Sequence, residues 1–171
     1  MIRVVGIDPG SRVTGYGVVE GDASSLRCVT CGTIPLKEGR SMAQRLGDLH
    51  EALGKILAET KPDEAAVERV FVARSADSAL KLGHARGVIL LTLHEAGLQP
   101  WEYAPAQVKK TVTGSGRAEK VQVVAMMRSL LDLASDPAED AADALAIATC
   151  HVLMSSERAL INASIEEARK A

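Results

Sequence analysis

The chain has 171 residues, a formal net charge of −2 and 47% hydrophobic residues. That fits one globular domain with a full core and argues against a crude electrostatic binder of nucleic acid. Aromatic residues make up only 2% (Phe71, Trp101, Tyr16 and Tyr103), so the core must be built from Val, Leu, Ile and Ala.

The run Val4-Val5-Gly6-Ile7 is apolar on both faces, which predicts a covered first strand over 2–8. Asp8 interrupts it, Pro9-Gly10 forces a turn, and 13–20 reads as the returning strand of a hairpin. Residues 26–36, rich in Val, Thr, Cys and Ile, predict a third strand. Met42, Leu46, Leu49, Leu53, Ile56 and Leu57 follow the three-four spacing of one helix face over 41–60. Lys61-Pro62-Asp63 ends that helix. A short fourth strand over 65–70, a long helix over 77–96, a fifth strand over 99–103 and a short helix over 105–112 follow. Thr113-Gly-Ser-Gly116 reads as a flexible break before helices over 119–131 and 137–154. Three strands in a meander, then alternating helix and strand, predict an α/β fold: a five-stranded mixed sheet flanked by helices on both faces. Residues 1–154 are expected as a single domain, and 155–171 as a tail that is either helical or disordered. No segment approaches the ~20 apolar residues of a membrane span, and Met1-Ile2-Arg3 leads straight into a strand without a secretory leader. A cytoplasmic protein is expected.

The three cysteines are Cys28, Cys31 and Cys150. Cys28-Val-Thr-Cys31 has metal-knuckle spacing, but it falls in a predicted strand, where positions three apart face opposite sides. No second such pair exists in the sequence, so buried, reduced thiols are expected rather than a structural zinc site.

Charge is unevenly distributed. Residues 69–128 carry nine Lys or Arg and four Asp or Glu, whereas 1–68 carry eight and ten, and 129–171 carry three and eight. A basic middle beside concentrated carboxylates suits a phosphate backbone bridged to an acidic site, although a solvated surface would carry the same counts.

Four carboxylates stand out. Asp8 ends a buried strand, where a turn former would also fit. Glu68 lies in Ala65-Ala-Val-Glu-Arg-Val70; inside a sheet it must pair with a charge or a metal, and on an edge it would meet water. In Asp136-Pro-Ala-Glu-Asp-Ala-Ala-Asp143, an Asp136 N-cap, a Pro137 first turn and a Glu139 capping box account for the early acids. They do not account for Asp143, which shares a helix face with Asp140 among small residues that permit close approach. Convergence of Asp8, Glu68, Asp140 and Asp143 would suit two-metal phosphoryl chemistry, in which one cation activates water and the other stabilises the leaving oxygen.

The stretches "GIDPGSRVTGYGVVE" (6–20), "VERVFVARSADSALKLGHARGV" (67–88), "YAPAQVKKTVTGSGRAEKVQV" (103–123) and "DPAEDAADALAIA" (136–148) together resemble the RuvC family of Holliday-junction resolvases, which have a ribonuclease-H-like fold. The resemblance implies that Asp8, Glu68, Asp140 and Asp143 are the catalytic, metal-binding carboxylates, with two Mg2+ or Mn2+ ions per active site. It implies DNA contacts at Phe71, Arg74, Lys109, Lys110, Arg117 and Lys120. It further implies a homodimer, a four-way junction as substrate, and a branch-migration helicase complex as partner. Some relatives carry His where this chain has Asp140. Phe71, the sole Phe, would serve as a wedge or stacking platform, or else as ordinary core. The apolar residues of the 77–96 helix, among them Ala79, Leu82, Ala85, Gly87, Ile89, Leu90 and Leu93, make it the expected dimer interface, unless they pack within the monomer.

Competing readings are a ribonuclease-H-like enzyme acting on RNA, a catalytically inactive junction-binding module, and an actin-like or sugar-kinase-like ATPase. The last needs a second phosphate-binding hairpin that the sequence lacks.

Overall fold

The structure is a computed structural model that describes residues 1–69 and 75–170, with the backbone alone at 160, 162–164 and 166–170. Phe71 and Arg74 therefore lie outside the described residues.

Three antiparallel strands form a meander: β1 (Ile2–Asp8), β2 (Val13–Gly21) and β3 (Leu26–Pro35). Helix α1 (Met42–Thr60) leads to β4 (Glu64–Glu68), which lies parallel to β1, with Val4 opposite Glu64 and Ile7 opposite Val67. Helix α2 (Ala76–Glu95) leads to β5 (Pro100–Tyr103), parallel to β4. Helices α3 (Pro105–Thr113), α4 (Lys120–Leu130) and α5 (Glu139–Lys170) complete the chain. The sheet order is β3-β2-β1-β4-β5.

Alternating side chains of the central strands feed two cores. Val5, Ile7 and Val18 meet Leu49, Leu53 and Leu57 of α1 and Ala85, Ile89 and Leu93 of α2. Val4, Val19 and Ala66 meet Val108 of α3, Met127 of α4 and Leu145, Ala148 and Val152 of α5 on the other face. The mixed sheet with helices on both faces is thus the architecture expected from the sequence. Fully burying one such Leu or Ile stabilises the fold by about 1.5–3 kcal/mol.

Helix α5 lies unusually close to the sheet because glycines line its path. A Cβ on Gly6 would stand 2.2 Å from the Ala144 carbonyl, and one on Gly15 would stand 1.9 Å from that of Asp140. These glycines carry a helix backbone onto the strands.

Several local expectations need correction. Helix α5 starts at Glu139 rather than 137, and the Ala142 amide donates to the Ala138 carbonyl (2.8 Å), which places Ala138 at the N-cap. Asp136 does not cap it; its Oδ1 accepts from Arg128 Nη1 (3.2 Å), a guanidinium that draws the carboxylate outward. At its far end α5 continues without a break through 155–170. The break at Thr113–Gly116 is a hydrogen-bonded turn, with Thr113 Oγ1 donating to the Lys109 carbonyl (2.8 Å) and Gly114 left-handed at φ 79°.

Cys28 and Cys31 do not face opposite sides. A β-bulge shifts the register so that Thr30 pairs with Val18 while Cys28 pairs with Val19. Val29 is the extra residue and packs toward the α1–α2 core, leaving both cysteines against the α5 core.

Among the described residues no helix is long and apolar enough to cross a membrane.

Candidate active site

Asp8 is the last residue of β1 and stands opposite Gly15 of β2. Glu68 is the last residue of β4, the parallel neighbour of β1, so both carboxylates emerge at one end of the sheet. Because Gly15 admits the first turn of α5, Asp140 is delivered to the same end, followed one turn later by Asp143.

Electrostatics report how tightly the four are grouped. The Asp8 carboxyl is pushed up to about 8, first by burial and then by the charges of Glu68, Asp143 and Asp140. Burial, followed by Asp143, raises Glu68, while Lys109 and Lys120 partly offset the rise. Asp143, with its side chain 24% exposed, is raised by burial against the opposing pull of Lys120. The structure thus brings Asp8, Glu68, Asp140 and Asp143 into one mutually repelling group.

Lys120, at the start of α4, is a cation that this group faces. Its Nζ lies 3.3 Å from Glu139 and 3.6 Å from Asp143. Burial opposes its charge, but Asp143 and Glu139 outweigh that and raise its pKa. Lys120 is an expected DNA contact, and within the chain its partners are carboxylates at the mouth of the cluster. Lys109 is half-buried and lies near enough to influence Glu68 and Asp143, whereas Lys110 and Arg117 are exposed beside it on α3 and the turn that follows.

Two supporting roles went unread in the sequence. Arg86 of α2 donates to the Glu68 carbonyl (3.0 Å) and to Glu102 (2.7 Å), fixing the end of β4. Glu139, read as a cap, holds Lys120. Neither has a sequence signature, because each acts across elements far apart in the chain.

The donor chemistry fits hard divalent cations: four carboxylates, one of them raised to about 8 by burial and then by its acidic neighbours, form a site that positive charge would relieve. As the side chains are placed, no group of three or more His, Cys, Asp or Glu among the described residues is close enough to hold an ion. The clefts of about 580 Å³ beside His50 and Glu95, and about 620 Å³ beside Met1 and Glu64, are lined by none of the four carboxylates.

The family model described as "Crossover junction endodeoxyribonuclease RuvC" matches residues 4–151. A crossover junction endodeoxyribonuclease RuvC from Halorhodospira halophila is 56% identical over 151 residues, covering 88% of this chain and 90% of its own. The protein of that name from Azorhizobium caulinodans is 51% identical over 165 residues, covering 96% and 98%. Thermus thermophilus RuvC, solved in complex with a Holliday junction substrate, aligns with a TM-score of 0.86 at 34% identity, covering 92% of this chain and 96% of its own. The yeast mitochondrial Holliday junction resolvase Ydc2, at 18% identity and TM-score 0.62, covers 86% and 76% and shares the fold.

Proposed function

The chain belongs to the RuvC family of crossover junction endodeoxyribonucleases, and from that premise we propose that Asp8, Glu68, Asp140 and Asp143 are the groups through which it cuts. Its activity is that of the family: a metal-dependent endonuclease that resolves four-way DNA junctions. The observation that carries the site assignment is the raised Asp8 carboxyl at the end of β1, surrounded by the other three.

Divalent cations held by these carboxylates, Mg2+ or Mn2+ and two per site, would supply the Lewis acidity that activates water and stabilises the leaving oxygen. The remaining tasks belong to the chain. Asp8 and Glu68 are fixed by paired strands, Asp140 and Asp143 by a helix locked onto glycines, so little rearrangement of the backbone is needed. Lys120 screens their repulsion and can release Asp143 toward a phosphate. Lys109, Lys110 and Arg117 form the basic approach for the DNA backbone, with Phe71 and Arg74 as further contacts.

Two symmetric nicks call for two sites, so we infer a homodimer. Within α2, Ala85, Ile89 and Leu93 belong to the monomer core, which corrects the expected interface. The outward stripe of Leu80, Gly83, Gly87 and Leu91 supports the dimer, with Leu80 61% and Leu91 52% exposed. Residues 1–154 serve as the nuclease unit and 155–171 as its extension, in a cytoplasmic protein that receives junctions from a branch-migration helicase complex.

Wild-type subunits allowed to exchange with an Asp8→Asn partner test site and dimer together. Heterodimers should nick a labelled junction once and rarely resolve it. Full resolution by Asp8→Asn homodimers would overturn the site, and a monomer on junction DNA at micromolar concentration would overturn the dimer.

A further inference from the structure

The bulge in β3 creates a feature that resolvase activity does not use. Cys28 and Cys31 stand opposite Val19 and Gly17, which are two residues apart on one face of β2. Two residues of strand span about 6.6–6.8 Å. The bulge therefore compresses a three-residue step on β3 to the length of a two-residue step on its partner. That brings the two cysteine Cα atoms closer than a regular three-residue step, toward the roughly 4.4–6.8 Å range from which a disulfide closes. Both side chains lie on the same face, both are partly exposed, and the two thiols are near enough to shift each other's pKa. A regular strand would have turned them apart.

We propose that Cys28 and Cys31 form a dithiol oxidation site, in which a hydroperoxide converts Cys31 to a sulfenic acid and Cys28 then closes a reversible intrachain disulfide. The electrostatics of the pair set the order. The neighbouring Cys28 thiol favours the Cys31 thiolate, bringing Cys31 down to about 7, while Cys31 and burial push Cys28 up. The Cys31 sulfur attacks one peroxide oxygen; the O–O bond breaks, and the departing oxygen leaves as water. The Cys28 sulfur then attacks the Cys31 sulfur; the S–O bond breaks and the hydroxyl leaves as water with the Cys28 proton. Two thiols lose two electrons and two protons, and hydrogen peroxide becomes two waters. Cys150 is the internal control: it is 0% exposed, and burial raises its pKa.

Position gives the modification a consequence. Both thiols pack against the core that holds Leu145, Ala148 and Val152 of α5, the helix that carries Asp140 and Asp143. Closing the disulfide tightens β3 beneath that helix.

Trypsin cuts after Arg27 and Lys37, so one peptide (28–37) carries both cysteines and a separate one carries Cys150. The full chain is treated with stoichiometric hydrogen peroxide, blocked with iodoacetamide and digested without reductant. The 28–37 peptide should appear unalkylated and lighter by two hydrogens, and dithiothreitol should restore it. Cys28→Ser should leave a sulfenic acid on Cys31 that dimedone traps. In unoxidised protein at neutral pH, Cys31 should alkylate at least about tenfold faster than Cys150. Full alkylation of both thiols after peroxide, dimedone labelling confined to Cys28, or prior oxidation of Cys150 would each overturn the proposal. The peptide mass requires no variant, so a misfolded substitution cannot mask the result.

Discussion

The two ends of the sheet handle charge in opposite ways. Where β1 begins, charges are paired: Arg3 Nε donates to Glu20 (2.7 Å), Arg27 reaches the same carboxylate (2.8 Å), and the Arg3 amide donates to Asp63 (2.8 Å). Just inside, the fully buried His151 accepts from the Tyr103 hydroxyl through Nδ1 (2.7 Å) and donates to Glu64 through Nε2 (2.6 Å). Where β1 ends, four carboxylates are met among the described residues by Lys120 and Lys109, and three of them are raised by burial and mutual repulsion. One end is satisfied and serves stability. The other is left unsatisfied, as expected of a site that must receive a cation and a phosphate.

The largest expected effect breaks the comparison at its acidic end. Asp8→Asn, Glu68→Gln, Asp140→Asn and Asp143→Asn should each lower single-turnover cleavage of a labelled four-way junction by about 10³-fold or more, and binding in a gel-shift assay should persist. Near-normal cleavage by two of these variants at saturating metal would remove the assignment.

Gly15→Ala probes how the acidic end is assembled. An added Cβ would meet the Asp140 carbonyl at 1.9 Å, so α5 must lift. We expect a loss of about 1–3 kcal/mol in urea unfolding, as for overpacking, with cleavage reduced disproportionately. His151→Ala probes the other end: it leaves the Tyr103 hydroxyl short of its partner and opens a cavity, at a cost of about 2–4 kcal/mol, with cleavage by the remaining folded protein unchanged.

The two ends also predict opposite responses to pH. In metal-free protein, folded Asp8 holds a proton up to about 8 that the unfolded chain releases near 3.8, so this group's contribution to stability falls as pH rises across that window. Burial lowers His151 below 6.5 despite the Glu64 bond, so the unfolded chain takes up its proton more readily. This group's contribution is complete above 6.5 and is lost as pH falls below it. Thermal melts should therefore show Asp8→Asn gaining stability over wild type at pH 8 but not at pH 4, by on the order of 1–3 kcal/mol. An equal change at both pH values would contradict the origin assigned to the Asp8 shift.

The smallest effects separate the lysines. Lys109→Ala and Arg117→Ala should each flatten the salt dependence of junction affinity by about one unit of slope. Lys120→Ala should change that slope less while lowering cleavage about tenfold, because its described partners are Glu139 and Asp143.

The sequence by itself determined the elements and singled out the candidate acids. Period-two and period-three-four patterns are local, so strands such as 2–8 and helices such as 42–60 were legible within a residue or two. Asp8, Glu68 and Asp143 drew notice because each stands in an apolar or small-residue run where a charge needs a reason; Asp140, beside Glu139 in a first helical turn, joined them through its helix face shared with Asp143 and the family resemblance. Tertiary structure alone decided what those residues meet. Gly15 carries no mark that its missing Cβ makes room for the Asp140 carbonyl. Lys120 reads like any surface lysine until α4 packs beside α5. Asp136 reads as a cap until Arg128 competes for it. Cys28 and Cys31 read as opposed until a bulge, set by pairing with β2, turns them to one face. Local patterns record which way a side chain points in an ideal element; close approach, ion pairing and register depend on residues distant in sequence, and only the packed chain brings those together.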